Sequence, residues 1–162
     1  MSKTLYLLRH AKSSWRDLTL SDFDRPLNKR GKHDAPMMAE KMKERGITPD
    51  SIISSPAKRA KKTARIFSEV LESPLFLEPK LYDTSIEEIL WIVGKAFETQ
   101  DAVMIVGHNP ELTVLNNLLS DTEIFNIPTA AVVAIGFNDY PIEAHQGKQR
   151  FFAYPKQYGA TE

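Results

Sequence analysis

The sequence predicts a three-layer α/β/α sandwich with a mostly parallel central sheet, and three observations support this fold class. Short apolar runs alternate with segments of helical period along most of the chain. These runs are rich in Val, Ile and Leu, as in strands buried on both faces of a parallel sheet. The chain has 162 residues, of which 42% are hydrophobic and 26% charged. This size and composition fit one soluble domain, so we expect 1–162 to be a single domain.

The first half of the chain supplies two strands and two helices. Thr4–Leu8 is a short apolar run that predicts the first strand. Apolar residues at helical spacing predict a helix over Gly31–Arg45. Ser51–Ser54 predicts the second strand. The helix after it has Pro56 in its first turn, and its apolar stripe consists of Ala60, Ala64, Phe67 and Leu71.

The second half continues the same alternation. Pro74–Leu77 predicts a third strand, and Ser85 with Glu88 has the spacing of a capping box at the start of a third helix. The run Ala102–Val106 is the clearest buried strand in the chain. A short helix over 110–119 follows, and two late strands over 130–137 and 150–153 are expected to pair antiparallel.

Composition excludes several classes of protein. The chain has no cysteine, which rules out disulfide scaffolds, thiolate zinc sites and cysteine nucleophiles. No apolar stretch approaches the roughly 18 residues of a membrane span, and the N-terminus lacks the apolar region of a signal peptide. We therefore expect a cytoplasmic protein that does not bind a membrane, with its oligomeric state left open.

Charge is distributed unevenly although the net charge is zero. Residues 1–65 carry 16 Lys and Arg against 7 Asp and Glu, a net charge of +9, and the remainder carries −9. One helix segment is crowded with cations: Lys58, Arg59, Lys61, Lys62 and Arg65. This segment is either a solvated face balanced by acidic neighbours or a docking surface for an acidic phosphorylated protein. Nucleic-acid binding is disfavoured, because the net charge is zero and no aromatic residues are interleaved with the cations.

Three predicted strands end in residues that bind anions. Arg9 and His10 follow the first strand, Ser55 and Arg59 follow the second, and His108 follows the strand at 102–106. Ligands in open α/β sheets bind beyond the carboxyl ends of the strands, so these turns are expected to converge. Two of the turns also open helices, whose N-termini attract negative charge. The sequence therefore predicts a phosphate site.

His10 is the candidate nucleophile of this site. A neutral imidazole between arginines can attack phosphorus, and nearby positive charge keeps it unprotonated at neutral pH. Arg9, Arg59 and His108 would stabilise the charge that develops on the transferred phosphoryl group. We expect no metal and no other cofactor, because side-chain cations replace the metal and no metal-ligand spacing accompanies the histidines.

Three motifs of this chain resemble the histidine phosphatase superfamily, whose members have the phosphoglycerate mutase-like fold. The motifs are Leu7-Leu8-Arg9-His10-Ala11, Ser54-Ser55-Pro56-x-x-Arg59-Ala60-x-x-Thr63-Ala64 and Val106-Gly107-His108. Within that superfamily, the short chain and the segment from Asp24 to Gly31 resemble the phosphohistidine phosphatases. That branch removes phosphate from histidine on phosphorelay proteins.

The resemblance implies a covalent phosphohistidine intermediate on His10, with Arg9, Arg59 and His108 as the rest of the phosphate pocket. Ser13 fits a pattern of mutase-like members and is expected to donate to the phosphate. Most members supply a glutamate as proton donor, and Asp83 lies at about that place in this chain. Its alternative role is an Asx turn or a helix cap before Ser85.

Three functions remain open on these residues. The first is hydrolysis of phosphohistidine on a protein, which suits a site without a strong acid because imidazole is a good leaving group with a conjugate-acid pKa near ~6.5. The second is hydrolysis of a small phosphate ester, whose alkoxide benefits more from an acid. The third is a phosphoprotein-binding module without turnover.

Overall fold

A computed structural model describes residues 2–159, which form one mixed sheet covered by α-helices. The strands are β1 (Lys3–Arg9), β2 (Ser51–Ser54), β3 (Leu75–Leu77), β4 (Ala102–Gly107), β5 (Val132–Phe137) and β6 (Lys148–Ala153). The α-helices are α1 (Lys29–Glu44), α2 (Lys58–Leu71), α3 (Ile86–Phe97) and α4 (Glu111–Leu119). A short 3-10 helix at Asp22–Asp24 lies between β1 and α1.

The strands lie in the order β3-β2-β4-β1-β5-β6. The first four are parallel to one another, whereas β5 is antiparallel to both of its neighbours. The mostly parallel sheet and the antiparallel pairing of the two late strands are therefore confirmed. Arg9 pairs with Gly107, and Ser54 pairs with Val106. This register brings the residues that follow β1, β2 and β4 to one edge of the sheet.

Helices pack on both faces of the sheet and complete three layers. On one face, α1 and α2 pack against the strands. They bury Met38 and Met42 from α1, and Ala64 and Phe67 from α2. On the other face, α3 and α4 pack against Leu5, Leu7, Val103 and Ile105 among other strand residues. Burial of both faces explains why the central strands are apolar runs rather than alternating patterns. The predicted three-layer architecture is confirmed.

Capping residues set where the helices begin. The Asn28 side chain accepts a hydrogen bond from the Gly31 amide at 2.8 Å, so α1 starts at Lys29, two residues before the predicted start. Pro56 lies just before α2 rather than in its first turn, because Ala57 takes the cap position. The expected cap of α3 is present: Ser85 accepts from the Glu88 amide at 3.1 Å. Over residues 2–159, no helix combines the length and the apolar character needed to cross a membrane.

Candidate active site

The structure brings Arg9, His10, Arg59 and His108 together at the carboxyl edge of the sheet. The ring centroids of His10 and His108 are 5.2 Å apart. Arg59 Nη2 lies 3.4 Å from His108 Nδ1. Burial and the charge of Arg59 both lower the pKa of Arg9, so the two guanidinium groups are close enough to repel each other. An anion that enters here would meet two positive charges with little surrounding water.

The backbone on both sides of His10 is fixed. Its amide donates to the Gly107 carbonyl at 3.1 Å, and its carbonyl accepts from the Ala130 amide at 3.2 Å. Ala130 adopts a left-handed φ of 63° that permits this contact, an unusual conformation for a residue with a side chain. The His10 side chain is 7% exposed. The imidazole is therefore held in one place before any ligand binds.

One hydrogen bond sets the tautomer of His10. Its Nδ1 atom lies 2.7 Å from the carbonyl oxygen of Ala11. A carbonyl oxygen only accepts, so Nδ1 carries the proton and Nε2 keeps its lone pair. Burial is the largest cause and, together with the charges of His108, Arg59 and Arg9, lowers the pKa of His10 to about 3. The hydrogen bond to the Ala11 carbonyl is second in size and acts in the opposite direction. The neutral state follows mainly from burial, not mainly from the arginines as the sequence suggested.

His108 is also neutral, but it is the other tautomer: its proton is on Nε2, whereas that of His10 is on Nδ1. A guanidinium only donates, so the contact with Arg59 makes His108 Nδ1 an acceptor and leaves the proton on Nε2. That Nε2 lies 2.8 Å from Ser55 Oγ. Burial first and the charge of Arg59 second lower the pKa of His108 to about 4, although Asp22 acts in the opposite direction. The Nε2–H of His108 thus donates to Ser55 Oγ, whereas Nε2 of His10 keeps its lone pair.

The two arginines have buried donors without a partner. Arg9 donates through Nη1 to the Ile127 carbonyl at 2.8 Å, and Arg59 donates through Nη1 to the Asp22 carbonyl at 2.7 Å. The Nε atoms of Arg9 and Arg59 are both buried and form no hydrogen bond within residues 2–159. Buried donors without acceptors are costly, and phosphate oxygens are acceptors that would satisfy them.

The structure adds Asp22, which the sequence did not single out. Its carboxylate accepts from Arg59 Nη2 at 3.0 Å, from Arg25 Nη2 at 3.0 Å and from the Tyr82 hydroxyl at 2.8 Å. Partial burial would raise the pKa of Asp22, but the hydrogen bonds from Tyr82, Arg25 and Arg59 outweigh it and lower that pKa to about 2. Asp22 is therefore ionised at neutral pH and holds the guanidinium of Arg59.

Tyr82 is the second residue that the sequence missed. Its ring packs edge-on against His108 with centroids 5.8 Å apart, and its hydroxyl donates to Asp22. It directly precedes Asp83, which lies at about the place of the proton-donating glutamate of the resembled family. The hydrogen bond to Asp22, burial and the charge of Asp22 raise the pKa of Tyr82 above its usual value. Tyr82 therefore remains protonated at neutral pH.

Ser13 and Asp83 are placed differently with respect to the cluster. Ser13 is buried, and its hydroxyl oxygen accepts from Arg25 Nη1 at 2.6 Å, so its own proton is available to a ligand. Asp83 is exposed and has a left-handed φ of 55°. Its carboxylate forms no hydrogen bond or ion pair with any of residues 2–159. Ser85, not Asp83, caps the helix that follows.

Thr63 explains the spacing of the second motif. Its hydroxyl donates to the Arg59 carbonyl at 2.8 Å and accepts from the Ala11 amide at 3.0 Å. One side chain on α2 thus ties the helix that carries Arg59 to the loop that carries His10. The interval of four residues between Arg59 and Thr63 is one helical turn, which allows this hydrogen bond.

Two neutral imidazoles and two guanidinium groups lie together at the strand ends, an arrangement with the chemistry to bind a phosphate group. Within residues 2–159, no group of three or more His, Asp or Glu side chains is placed to hold a metal ion. A family model of the histidine phosphatase superfamily, branch 1, matches residues 5–90, and the chain belongs to this superfamily of enzymes.

Two curated relatives match parts of the chain. An uncharacterised chloroplast protein of Arabidopsis thaliana is 34% identical over 135 residues, which are 76% of this chain and 62% of that protein. A 2,3-bisphosphoglycerate-dependent phosphoglycerate mutase of Chelativorans is 38% identical over 76 residues, which are 46% of this chain and 37% of the mutase. The chain therefore spans less than two thirds of either relative.

Solved structures match nearly the whole chain, among them two of SixA proteins. The SixA protein of Agrobacterium tumefaciens, a proposed phosphohistidine phosphatase, has a TM-score of 0.80 and 26% identity, with 94% of this chain and 98% of that one covered. The protein histidine phosphatase SixA in complex with tungstate has a TM-score of 0.83 and 19% identity, with 96% and 99% covered. This second likeness confirms the fold.

Proposed function

We propose that the protein is a phosphatase that hydrolyses phosphohistidine on a partner protein through a covalent phospho-His10 intermediate. The observation that carries the proposal is the hydrogen bond between His10 Nδ1 and the Ala11 carbonyl. It leaves the lone pair on Nε2, in a buried imidazole beside two arginines. A neutral nucleophile in a cationic pocket is what attack on a phosphoryl group needs.

In the first step, the lone pair of His10 Nε2 attacks phosphorus while the bond from phosphorus to the substrate imidazole breaks. The electron pair of that bond stays with the substrate ring. If this ring is protonated at its other nitrogen, it leaves as neutral imidazole and needs no further proton. Arg9 and Arg59 donate hydrogen bonds to the phosphoryl oxygens, and His108 accepts from Arg59 beside them.

In the second step, water attacks phosphorus and His10 is the leaving group. The phosphorylated ring is positively charged, because Nδ1 keeps its proton against the Ala11 carbonyl while Nε2 holds the phosphoryl group. Cleavage of the bond from Nε2 to phosphorus returns the electron pair to the ring and restores neutral His10. The water protons leave with inorganic phosphate, so neither step requires an external reductant, oxidant or metal.

The acid–base properties of the site favour phosphohistidine over an ester. Asp22 is the carboxylate bonded to Arg59, and its pKa of about 2 makes it a poor proton donor. An ester would release a basic alkoxide, for which general acid catalysis typically contributes ~10²–10⁴-fold. Imidazole leaves without that help. The site therefore discriminates by leaving group.

Exposed apolar side chains favour a protein substrate over a small molecule. Trp15 is 67% exposed and stacks on Arg25, which bonds to both Ser13 and Asp22. Phe125 is fully exposed, two residues before Ile127, whose carbonyl holds Arg9. Apolar residues that surround a polar site are typical of protein–protein contact. Hydrolysis of a small phosphate ester is the second candidate, which the similarity to a phosphoglycerate mutase favours.

The test compares two substrates in the presence of EDTA, a phosphohistidine peptide and p-nitrophenyl phosphate. We expect kcat/KM for the peptide to exceed that for the ester by at least about 100-fold, the effect of a missing general acid. His10→Ala should abolish both activities. His33→Ala is the matched control, because His33 is exposed on α1 outside the site.

Each alternative predicts a different result. Equal turnover of the two substrates would assign the site to small phosphate esters. Binding of phosphate without turnover of either substrate would assign the protein to the non-catalytic binding modules. Loss of activity in EDTA would contradict a reaction that runs on side-chain cations.

A further inference from the structure

A basic groove lies beside the active site. We define it by Lys32, Lys58, Lys61, Lys62 and Arg65, which line a cavity of about 530 Å³ between α1 and α2. Asp24 is the acidic residue of its lining, so the side chains of the groove carry a net charge of +4. An adjoining cavity of about 1000 Å³ shares Lys32 with the groove and extends the basic surface.

The cations of the basic groove are not neutralised by neighbours. Within residues 2–159, none of the five forms an ion pair with a carboxylate, whereas Lys41 and Lys95 on α1 and α3 do. Asp24 accepts a hydrogen bond from Ser21 instead. The five cations of the groove therefore have no carboxylate within ion-pair distance among the described residues, which favours the docking interpretation of this segment. Like charges one helical turn apart, such as Lys58 with Lys62, cost a few tenths of a kcal/mol.

The basic groove leads to the reaction centre. Pro56 lines it and follows Ser55, which is bonded to His108. Phe23 also lines it and packs against Tyr82 with ring centroids 5.1 Å apart. A partner that lies in the groove therefore approaches the site past the loop that holds Arg59.

We propose that the basic groove docks an acidic surface of the phosphorylated partner protein and so orients its phosphohistidine toward His10. This inference rests on the proposed function. The groove is small, and its walls include the apolar residues Pro26 and Leu27 besides the cations. A compact acidic patch on a protein fits it in size and in charge. A nucleic acid carries negative charge along its whole length, and residues 66–162, with a net charge of −9, would repel it beyond the groove.

The test uses two synthetic phosphohistidine peptides that differ only in flanking residues, Glu in one and Gln in the other. At low salt, we expect the wild type to cleave the Glu peptide with about 10-fold higher kcat/KM, through KM, because charge complementarity accelerates encounter by about 10-fold or more. This preference should disappear as the salt concentration rises. The triple variant Lys61→Gln/Lys62→Gln/Arg65→Gln should cleave both peptides at the wild-type rate for the Gln peptide.

A second triple variant controls for overall charge. Lys43→Gln/Lys148→Gln/Lys156→Gln removes the same charge from exposed residues that do not line the groove, and it should keep the preference. Thermal unfolding of both variants checks that they are folded.

Three outcomes would overturn the proposal. They are equal cleavage of the two peptides by the wild type, an unchanged preference in the groove variant, and tight binding of a single-stranded oligonucleotide that the groove variant loses. Failure of the wild type to cleave either peptide would instead overturn the proposed function.

Discussion

The neutrality of His10 in the folded protein makes a prediction about stability and pH. Burial lowers the pKa of His10 to about 3 and that of His108 to about 4. In the unfolded chain, both return to the ordinary value near ~6.5. Below that value the unfolded state binds two protons that the folded state does not. The two histidines therefore do not reduce the free energy of unfolding above about pH 6.5. They lower it progressively as the pH falls toward about 4.

The size of this effect follows from proton linkage. One proton of difference changes the free energy of unfolding by about 1.36 kcal/mol per pH unit. Near pH 5, an unfolded histidine is almost fully protonated, so each buried histidine contributes a slope of about 1.3 kcal/mol per pH unit. The pair contributes about 2.6 kcal/mol per pH unit. Carboxylates add their own slope, which is common to the wild type and to a histidine variant.

The perturbation is His10→Asn, which removes one of the two titrating groups. Urea unfolding should be measured at several pH values between about 5 and 6, in buffers without phosphate because a bound anion would stabilise the folded state. The slope should fall by about 1.3 kcal/mol per pH unit relative to the wild type. Equal slopes for His10→Asn and wild type would refute the argument, because His10 would then be protonated in the folded state.

Three further predictions concern the stability of the fold. Asp22→Asn should lower the free energy of unfolding by about 1 kcal/mol at neutral pH. This value is reduced for solvent screening, because the Asp22 side chain is 49% exposed. The control variant Asp24→Asn should change the free energy of unfolding little. Because the pKa of Asp22 is lowered to about 2, this difference should be present above about pH 4 and vanish as the pH falls through 2, as urea unfolding would show. Gly31→Ala should cost about 1–3 kcal/mol, since a Cβ would collide with the Lys12 backbone. Gly94→Ala, which meets open space within α3, should stabilise by about 0.5–1 kcal/mol in the same unfolding assay.

The strand-end residues were predictable because the sheet itself brings them together. The strands β1, β2 and β4 each have an apolar centre without polar alternation, which indicated buried strands. Parallel strands present their carboxyl ends at one edge, so His10, Arg59 and His108 had to converge. No detail of the loops was needed for that inference.

Asp22 and Tyr82 were not predictable by the same reasoning. They are 60 residues apart, and each belongs to an irregular or 3-10 segment without a periodic pattern. Their contact depends on how two loops fold back over Arg59, which sequence spacing does not encode. The dominance of burial in the pKa of His10 was hidden for a similar reason, because solvent exposure is a property of the packed chain.

The most direct test of the central claim is to trap the phosphorylated protein. A phosphohistidine peptide with labelled phosphate is mixed with the wild type and quenched in alkali within the first turnover, and the labelled residue is located by mass spectrometry. We expect label on His10 that is lost in acid, no label in His10→Ala, and slower labelling of His10 in His108→Ala. Turnover of the peptide without label on His10, or label on His108, would contradict it.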